Sequence, residues 1–350
     1  MMLGHNMKQQ SGDASTNIQA QVVNVGVTPE EARNIAFDLY RANAYTLTQE
    51  AAQIATARAE RLVDDLLTRL MEKNPRGIDS FREPGMQYAL YTAQREYVRT
   101  GDDNLADLLV DILVARTIEN NRNLMQIVLD EAIMIAPKLM PEQYDILTLV
   151  FLVRYTKHSM ITNVRTFKKY IDIIIAPFVS NLTKESAACY QHLEYTGCCS
   201  IMSLMTHDII EIFKETYQGI FVAGFMRDKF EDIINPNEVG DQLLIPCKNN
   251  PLLWQIDAMD NNEIETKAGD MGYEKGIIEQ LKSLQISNLM SSGKIRIILE
   301  QNDYMKKLIE YWNDKPMHSM NLTTVGMAIA HANIRIKIQD DNIDLSDWIK

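Results

Sequence analysis

The side chains best suited to chemistry lie between residues 189 and 207. Cys189 and His192 form a Cys-x2-His spacing, Cys198 and Cys199 are adjacent, and His207 follows. Thiolate sulfur and imidazole nitrogen are the ligands zinc prefers. The spacing argues against a metal centre, because Cys-x2-His followed by adjacent cysteines is not the recurring pair of short turns that structural zinc sites use. Buried cysteines acting as small hydrophobes on helices explain the same residues more simply. These five positions are the metal candidates of the chain, and no cofactor is expected.

Other chemistry is fainter still. Ser291-Ser292-Gly293-Lys294 ends like a phosphate-binding loop but lacks its leading glycine, Gly269–Gly272 forms no cradle, and Gly219–Gly224 lacks the dinucleotide pattern. There is no Gly-x-Ser-x-Gly and no local Cys–His signature of a hydrolase. Asp241 and Lys248 are the residue types of a metal-dependent nuclease, but Pro246 stands where its second acid belongs. Glu131, inside the apolar run Leu129–Ile135, fits the outer face of an amphipathic helix. The motifs therefore favour a protein that is not an enzyme, and an active site assembled from scattered residues is the competing reading.

The chain has 350 residues, 46% apolar and 23% charged, the balance of a globular protein with a real core. Glycine (15) and proline (10) are scarce and methionine (19) plentiful, which favours helices. A net charge of −12 opposes non-specific binding to nucleic acid or anionic membrane. Met1–Gln10 holds no apolar run, and Ile146–Val153 and Tyr170–Val179 fall short of the roughly 18 to 20 residues a span needs. With four cysteines in no disulfide framework, a cytoplasmic protein without membrane partners is expected.

The elements that must position these residues begin with a polar leader. Ile18, Ala20 and Val22 alternate with polar residues, and the apolar phase then shifts by one to Val23 and Val25, a strand with a bulge near Val22–Val23. Thr28-Pro29-Glu30-Glu31 is a helix start with a capping box. No proline or glycine follows until after Lys73, so one helix of roughly 45 residues, about 65–70 Å long, is expected, with Asn43–Thr48 as its weak point. Helical segments follow at about 84–99, 103–119, 121–136, 141–157, 164–180, 184–196 and 199–218, then at 272–285, 293–300 and 302–313. A final helix is capped near Thr323. Met305, Met317, Met320 and Met327 read as core filler.

The fold class is mainly α: a multi-helix bundle with a long N-terminal helix, a short β-strand leader and a small C-terminal winged-helix-like α(+β) module. The domains are a leader (1–27), an all-α domain (28–235), an irregular linker (236–270) and the C-terminal module (271–350). That module carries ten Lys/Arg against ten Asp/Glu, with Lys306 and Lys307 its only adjacent basic pair. Protein contact fits it better than DNA, because specific binding leans on phosphate neutralisation.

Gln10–Ala20 resembles a Gly-Asp-x-Ser-x-Asn-Ile-Gln-Ala leader found on many bacterial proteins. Leu322–Asn333 (LTTVGMAIAHAN) and Asp344–Ile349 (DLSDWI) resemble the other end of the same group. Over its whole length the chain is similar to a bacterial family known by locus-tag names, with no assigned activity and hence no catalytic residues to carry over. Similar leaders on prokaryotic immune proteins imply a place in phage defence. An orphan strand and a long helix both lack partners within the chain. The expectation is therefore a homo-oligomer assembled through Ile18, Ala20, Val22, Val23 and Val25, acting as a scaffold or sensor that binds a protein partner. The alternatives are nucleic-acid binding through Lys306 and Lys307, and the scattered-site enzyme.

Overall fold

The computed structural model describes residues 26–43, 49–119, 121–182, 187–202, 204, 206–234, 242–339 and 343–350. The expected leader strand, with Ile18, Ala20, Val22, Val23 and Val25, lies outside the described residues. The chain that emerges from it is tied to its own fold: Val27 is buried and donates its amide to Asp79 Oδ1 at 2.8 Å.

The helix start at Thr28 forms as its sequence requires. Thr28 N donates to Glu31 Oε2 at 2.9 Å and Glu31 N donates to Thr28 Oγ1 at 3.2 Å, opening α1 (Pro29–Asn43). The Thr28 amide, and then its hydroxyl, hold the Glu31 carboxyl below its ordinary range. A lowered folded-state pKa means that this contribution is present above the unfolded value and fades as pH falls through the folded one. In a carboxyl NMR titration Glu31 will show a midpoint below that of glutamate in a peptide. A midpoint at the peptide value would mean that the cap does not form in solution.

The single long helix is corrected to two. The described chain ends α1 at Asn43 and opens α2 (Gln49–Lys73), and Arg33 on α1 forms an ion pair with Asp64 on α2. In one continuous helix those residues would stand about 46 Å apart. α2 packs instead against α1, α3 (Pro84–Thr100) and α4 (Asp103–Arg116), so its apolar stripe of Leu62, Leu66 and Leu70 is covered by its own chain. The α3–α4 corner turns on Gly101 (φ +65°), after which Asp102 caps α4 by accepting from the Asn104 and Leu105 amides.

α5 (Leu124–Ile135) and α6 (Pro141–Arg154) complete the first half of the bundle. α7 (Val164–Tyr170) and α8 (Ala176–Val179) are joined by one π-helical stretch, Ile171–Ile175. After α9 (Ala187–Tyr195) the expected helix 199–218 is corrected. Gly197 (φ +77°) turns the chain out, β1 (Cys199–Ile201) is extended, and only at Asp208, which caps α10 (Ile209–Thr216), does helix resume.

The expected linker 236–270 is likewise not irregular where it is described. Together with α11 (Arg227–Glu231), β2 (Leu244–Cys247) and β3 (Asn250–Ile256) form an antiparallel hairpin followed by α12 (Asn261–Asp270) and α13 (Lys275–Ser287). Phe225, Leu243, Ile256, Ile264 and Leu281 give this lobe a second apolar core. Proline is tolerated here because a two-stranded ribbon leaves strand edges unpaired.

α14 (Ser292–Leu299) and α15 (Asp303–Asp314) lead to β4 (Met320–Leu322) and α16 (Thr324–Ile338). Thr323 caps α16 by accepting from the Gly326 amide at 3.2 Å. The expected C-terminal module does not pack apart. β4 pairs with β1 in the register Cys199↔Leu322, Ser200↔Asn321, Ile201↔Met320, and α16 lies against α6, α4 and α5. Among the described residues 271–350 holds no hairpin of its own to serve as a wing. α4, α6 and α16 are buried on nearly every face, the mark of helices at the centre of a fold rather than on its surface. The class is mainly α, and no described helix is long and apolar enough to cross a membrane.

Candidate functional site

The five metal candidates are dispersed. Cys189 and His192 share α9, where His192 Nδ1 lies 3.2 Å from the Gln143 carboxamide and the Cys189 carbonyl accepts from Gln143 Nε2 at 2.9 Å. Cys198 and Cys199 are buried at the junction of β1 with α16, and burial raises both thiols, Cys199 to about 12. Thiols held protonated in this way are poor ligands and poor nucleophiles. His207 stands beside β4, its amide bonded to the His318 carbonyl at 2.8 Å. Among the described residues no three His, Cys, Asp or Glu side chains come together as metal ligands.

The remaining candidates separate as well. Asp241 lies outside the described residues, so the pairing with Lys248 has no geometry. α15 turns Met305, Leu308, Ile309 and Trp312 inward. That leaves Lys306 exposed, while Lys307 rests over the Tyr311 ring at 5.8 Å.

What the fold does build is a cleft of about 700 Å³ where the end of α2 meets α4, α5, α16 and the segment Ile343–Ser346. Its walls are apolar, with Ile112, Ala115, Met125, Leu129 and Ala332 among them. Its polar groups come from three elements. Asp111 on α4, 2% exposed, faces the Arg335 guanidinium on α16 at 3.5 Å. One turn back on α16, His331 Nε2 donates to the Ile343 carbonyl at 2.8 Å and so pins the segment that forms the rim. Asp344 accepts from the Ser346 amide at 2.9 Å, and this bond with that of the Ser346 hydroxyl holds its carboxyl low.

His331, Asp344 and Ser346 are the residue types of a hydrolytic triad, but their bonds serve another purpose. The imidazole proton on Nε2 goes to a main-chain carbonyl, and the Asp344 carboxylate caps the turn Leu345–Asp347. The Ser346 hydroxyl donates to that same carboxylate, whose lowered pKa makes it a weak base for generating a nucleophile. The lining has four carboxylates (Glu72, Asp111, Glu119, Asp344) to two cations (Lys73, Arg335). That excess favours an occupant with an apolar body and a cationic or donor-rich end.

The opposite side of α16 carries a matching feature. Asp145 on α6, 1% exposed, accepts from Asn333 Nδ2 at 3.0 Å, Lys337 Nζ at 2.5 Å and Asn181 Nδ2 at 3.1 Å. Asn333 Nδ2 also reaches Thr148 Oγ1 at 3.0 Å. Two acid–base pairs with buried carboxylates, Asp111–Arg335 and Asp145–Lys337, meet α16 two residues apart on opposite faces and thus fix how it is rotated and how far it is inserted.

Asp111, Asp145, Arg335 and Lys337 stand in no chemical motif of the sequence. The signal was present: Asp111 and Asp145 are lone charges in the mostly apolar runs LLVDILVA and YDILTLVFLV, and Arg335 and Lys337 alternate with isoleucines in IRIKI. A charge in such a run must be paired inside the fold. The stretches that carry the family resemblance, 322–333 and 344–349, supply Ala328, His331, Ala332, Asp344, Leu345 and Ser346 to the cleft.

Neither a curated protein nor a solved structure matches this chain. A family model does match, over residues 26–349, and the chain therefore belongs to that "-like" family, known by a locus-tag name.

Proposed function

We propose that this protein works by binding rather than by catalysis, as a sensor or scaffold whose ligand enters the cleft framed by α4, α5, α16 and the Ile343–Ser346 segment. The single observation that carries the reading is the largely desolvated Asp111–Arg335 pair in the lining of a cleft that also holds apolar walls. Such a site offers orientation and specificity, while its one serine hydroxyl is engaged by a weakly basic carboxylate that caps a turn. The acid excess of the lining makes a small organic amine with an apolar body the ligand class. Assembly into a homo-oligomer, contact with a protein partner, a cytoplasmic location and a part in phage defence belong to the same reading. Self-association now rests on the leader alone, since the N-terminal helices find their partners within the chain. Binding of DNA through a winged-helix-like C-terminal module is the reading these contacts favour least.

Thermal melting of the full chain against a panel of such amines tests it. A ligand present at 100 times its Kd contributes about 2.7 kcal/mol, a rise of several degrees in Tm. Ala115→Phe, which fills the cleft from α4, abolishes that rise. No shift across the panel, or a shift that Ala115→Phe leaves intact, would sink the cleft as the binding site. Light scattering on the full chain and on a chain starting at Val27 addresses assembly: equal monomer masses would remove the leader from the proposal.

A further inference from the structure

A second cluster lies away from the cleft, around β4. Arg154 closes α6, half-buried, and its guanidinium donates to the Met320 carbonyl and, at 3.0 Å, to Asn321 Oδ1. Among the described residues no carboxylate pairs with it, although the chain as a whole is strongly acidic. Carbonyl and carboxamide oxygens satisfy N–H groups but leave the unit charge unneutralised, and a desolvated charge without a counter-charge is costly. Burial accordingly lowers the Arg154 pKa, and only the Tyr155 phenol opposes that shift.

The groups placed near this cation are themselves basic. The His207 amide is held by the His318 carbonyl at 2.8 Å, two residues before the strand that Arg154 grips. The His318 Nδ1 lies 2.7 Å from Ser319 Oγ. With the hydroxyl donating to Nδ1, the neutral ring carries its proton on Nε2. The His207 ring has no hydrogen-bond partner among the described residues. Its pKa is pulled down by burial first, then by Arg154 and His318. Arg154 at the end of α6, His207 after β1 and His318 before β4 are thus gathered at one end of that strand pair.

We propose that Arg154, His207 and His318 form a binding site for a phosphate group. The guanidinium N–H groups left over from Met320 and Asn321, together with two ring N–H donors, suit a tetrahedral oxyanion, and a dianion supplies the charge that the protein itself omits. A monovalent carboxylate would neutralise the arginine but leave one or both imidazoles unused. The site shares no residue with the cleft, so either proposal can fail without the other.

Histidine Cε1–H NMR signals of the full chain, recorded while inorganic phosphate is added, test it directly. The His207 and His318 signals will shift saturably, and the His207 midpoint will rise by about one pH unit, the effect of a neighbouring opposite charge. His207→Asn, which leaves the backbone bond to His318 in place, will weaken phosphate binding about tenfold, the loss of roughly one charge-assisted hydrogen bond. Arg154→Met will abolish it, and the His207→Asn result stands even if that variant fails to fold. A nucleoside diphosphate added in a parallel series distinguishes a free phosphate from a phosphate borne on a larger molecule. Signals that stay fixed in both series, or that shift without saturating, would overturn the proposal.

Discussion

Asp145→Ala will cost the fold about 3 kcal/mol or more, because it removes one partner of a buried pair and strands the other. The carboxylate is 1% exposed and receives Lys337, Asn333 and Asn181 together. After the substitution Lys337 keeps the face of the Phe178 ring, 5.4 Å from its ammonium, as an electrostatic partner. The lysine side chain retains 28% exposure and can reach part-way to water, which places the loss toward the lower end of the range for such pairs. Urea unfolding followed by tryptophan fluorescence measures it, since Trp312 and Trp348 both report on the main core. Adding Lys337→Met to Asp145→Ala will recover much of the loss by removing the stranded charge. A single variant within 1 kcal/mol of the parent would show that the pair is hydrated in solution and does not key α16.

Gly326→Ala will have a comparable effect for a steric reason. A Cβ built on Gly326 meets the Cys198 carbonyl oxygen at 2.0 Å and its carbon at 2.9 Å. That carbonyl cannot step aside, because it accepts the Thr323 amide at 3.0 Å while Thr323 Oγ1 donates to the neighbouring Gly197 carbonyl at 2.6 Å. α16 must therefore lift from β1, at a cost of about 3 kcal/mol, the upper part of the range for overpacking. Hydrogen exchange at the Thr323 amide will accelerate in the variant. Gly276→Ala is the control: its Cβ meets nothing within 4 Å on α13, and the substitution will be neutral or stabilising. Equal effects of the two would show that the β1–α16 approach is looser than the geometry requires.

Much of the architecture was legible because it is written locally. Pro84 and Pro141 open helices at the first position, Gly101 ends one, and Thr323 caps another, each by a rule that involves only neighbouring residues. The errors share one physical origin. Whether Pro29–Lys73 is one rod or a folded pair, whether Cys199 begins a helix or a strand, and whether α16 is peripheral or central all depend on contacts across long stretches of chain. The Arg33–Asp64 pair closes 31 residues and the Asn333–Asp145 bond closes 188. Periodicity reports which face of a helix is apolar and is silent on what covers it. The cleft was hidden for the same reason, since its polar groups come from α4, α16 and the Asp344 turn, and no spacing rule spans those intervals. Arg335 and Lys337 were nonetheless readable as charges alternating with isoleucines at the end of a mostly apolar helix, a criterion that needs no motif.

The central place of α16 has a consequence for how the protein is made. Asp145 leaves the ribosome 188 residues before the asparagine that binds it, an interval of roughly 10 to 40 s at ordinary translation speeds. Throughout that time the apolar surfaces of α4, α5 and α6 that α16 covers in the finished fold lack that cover. A nascent chain stalled before Thr324 would leave those surfaces exposed, so truncated copies are expected to depend on chaperones and to be cleared by proteases, while the finished chain covers them with its own late segment.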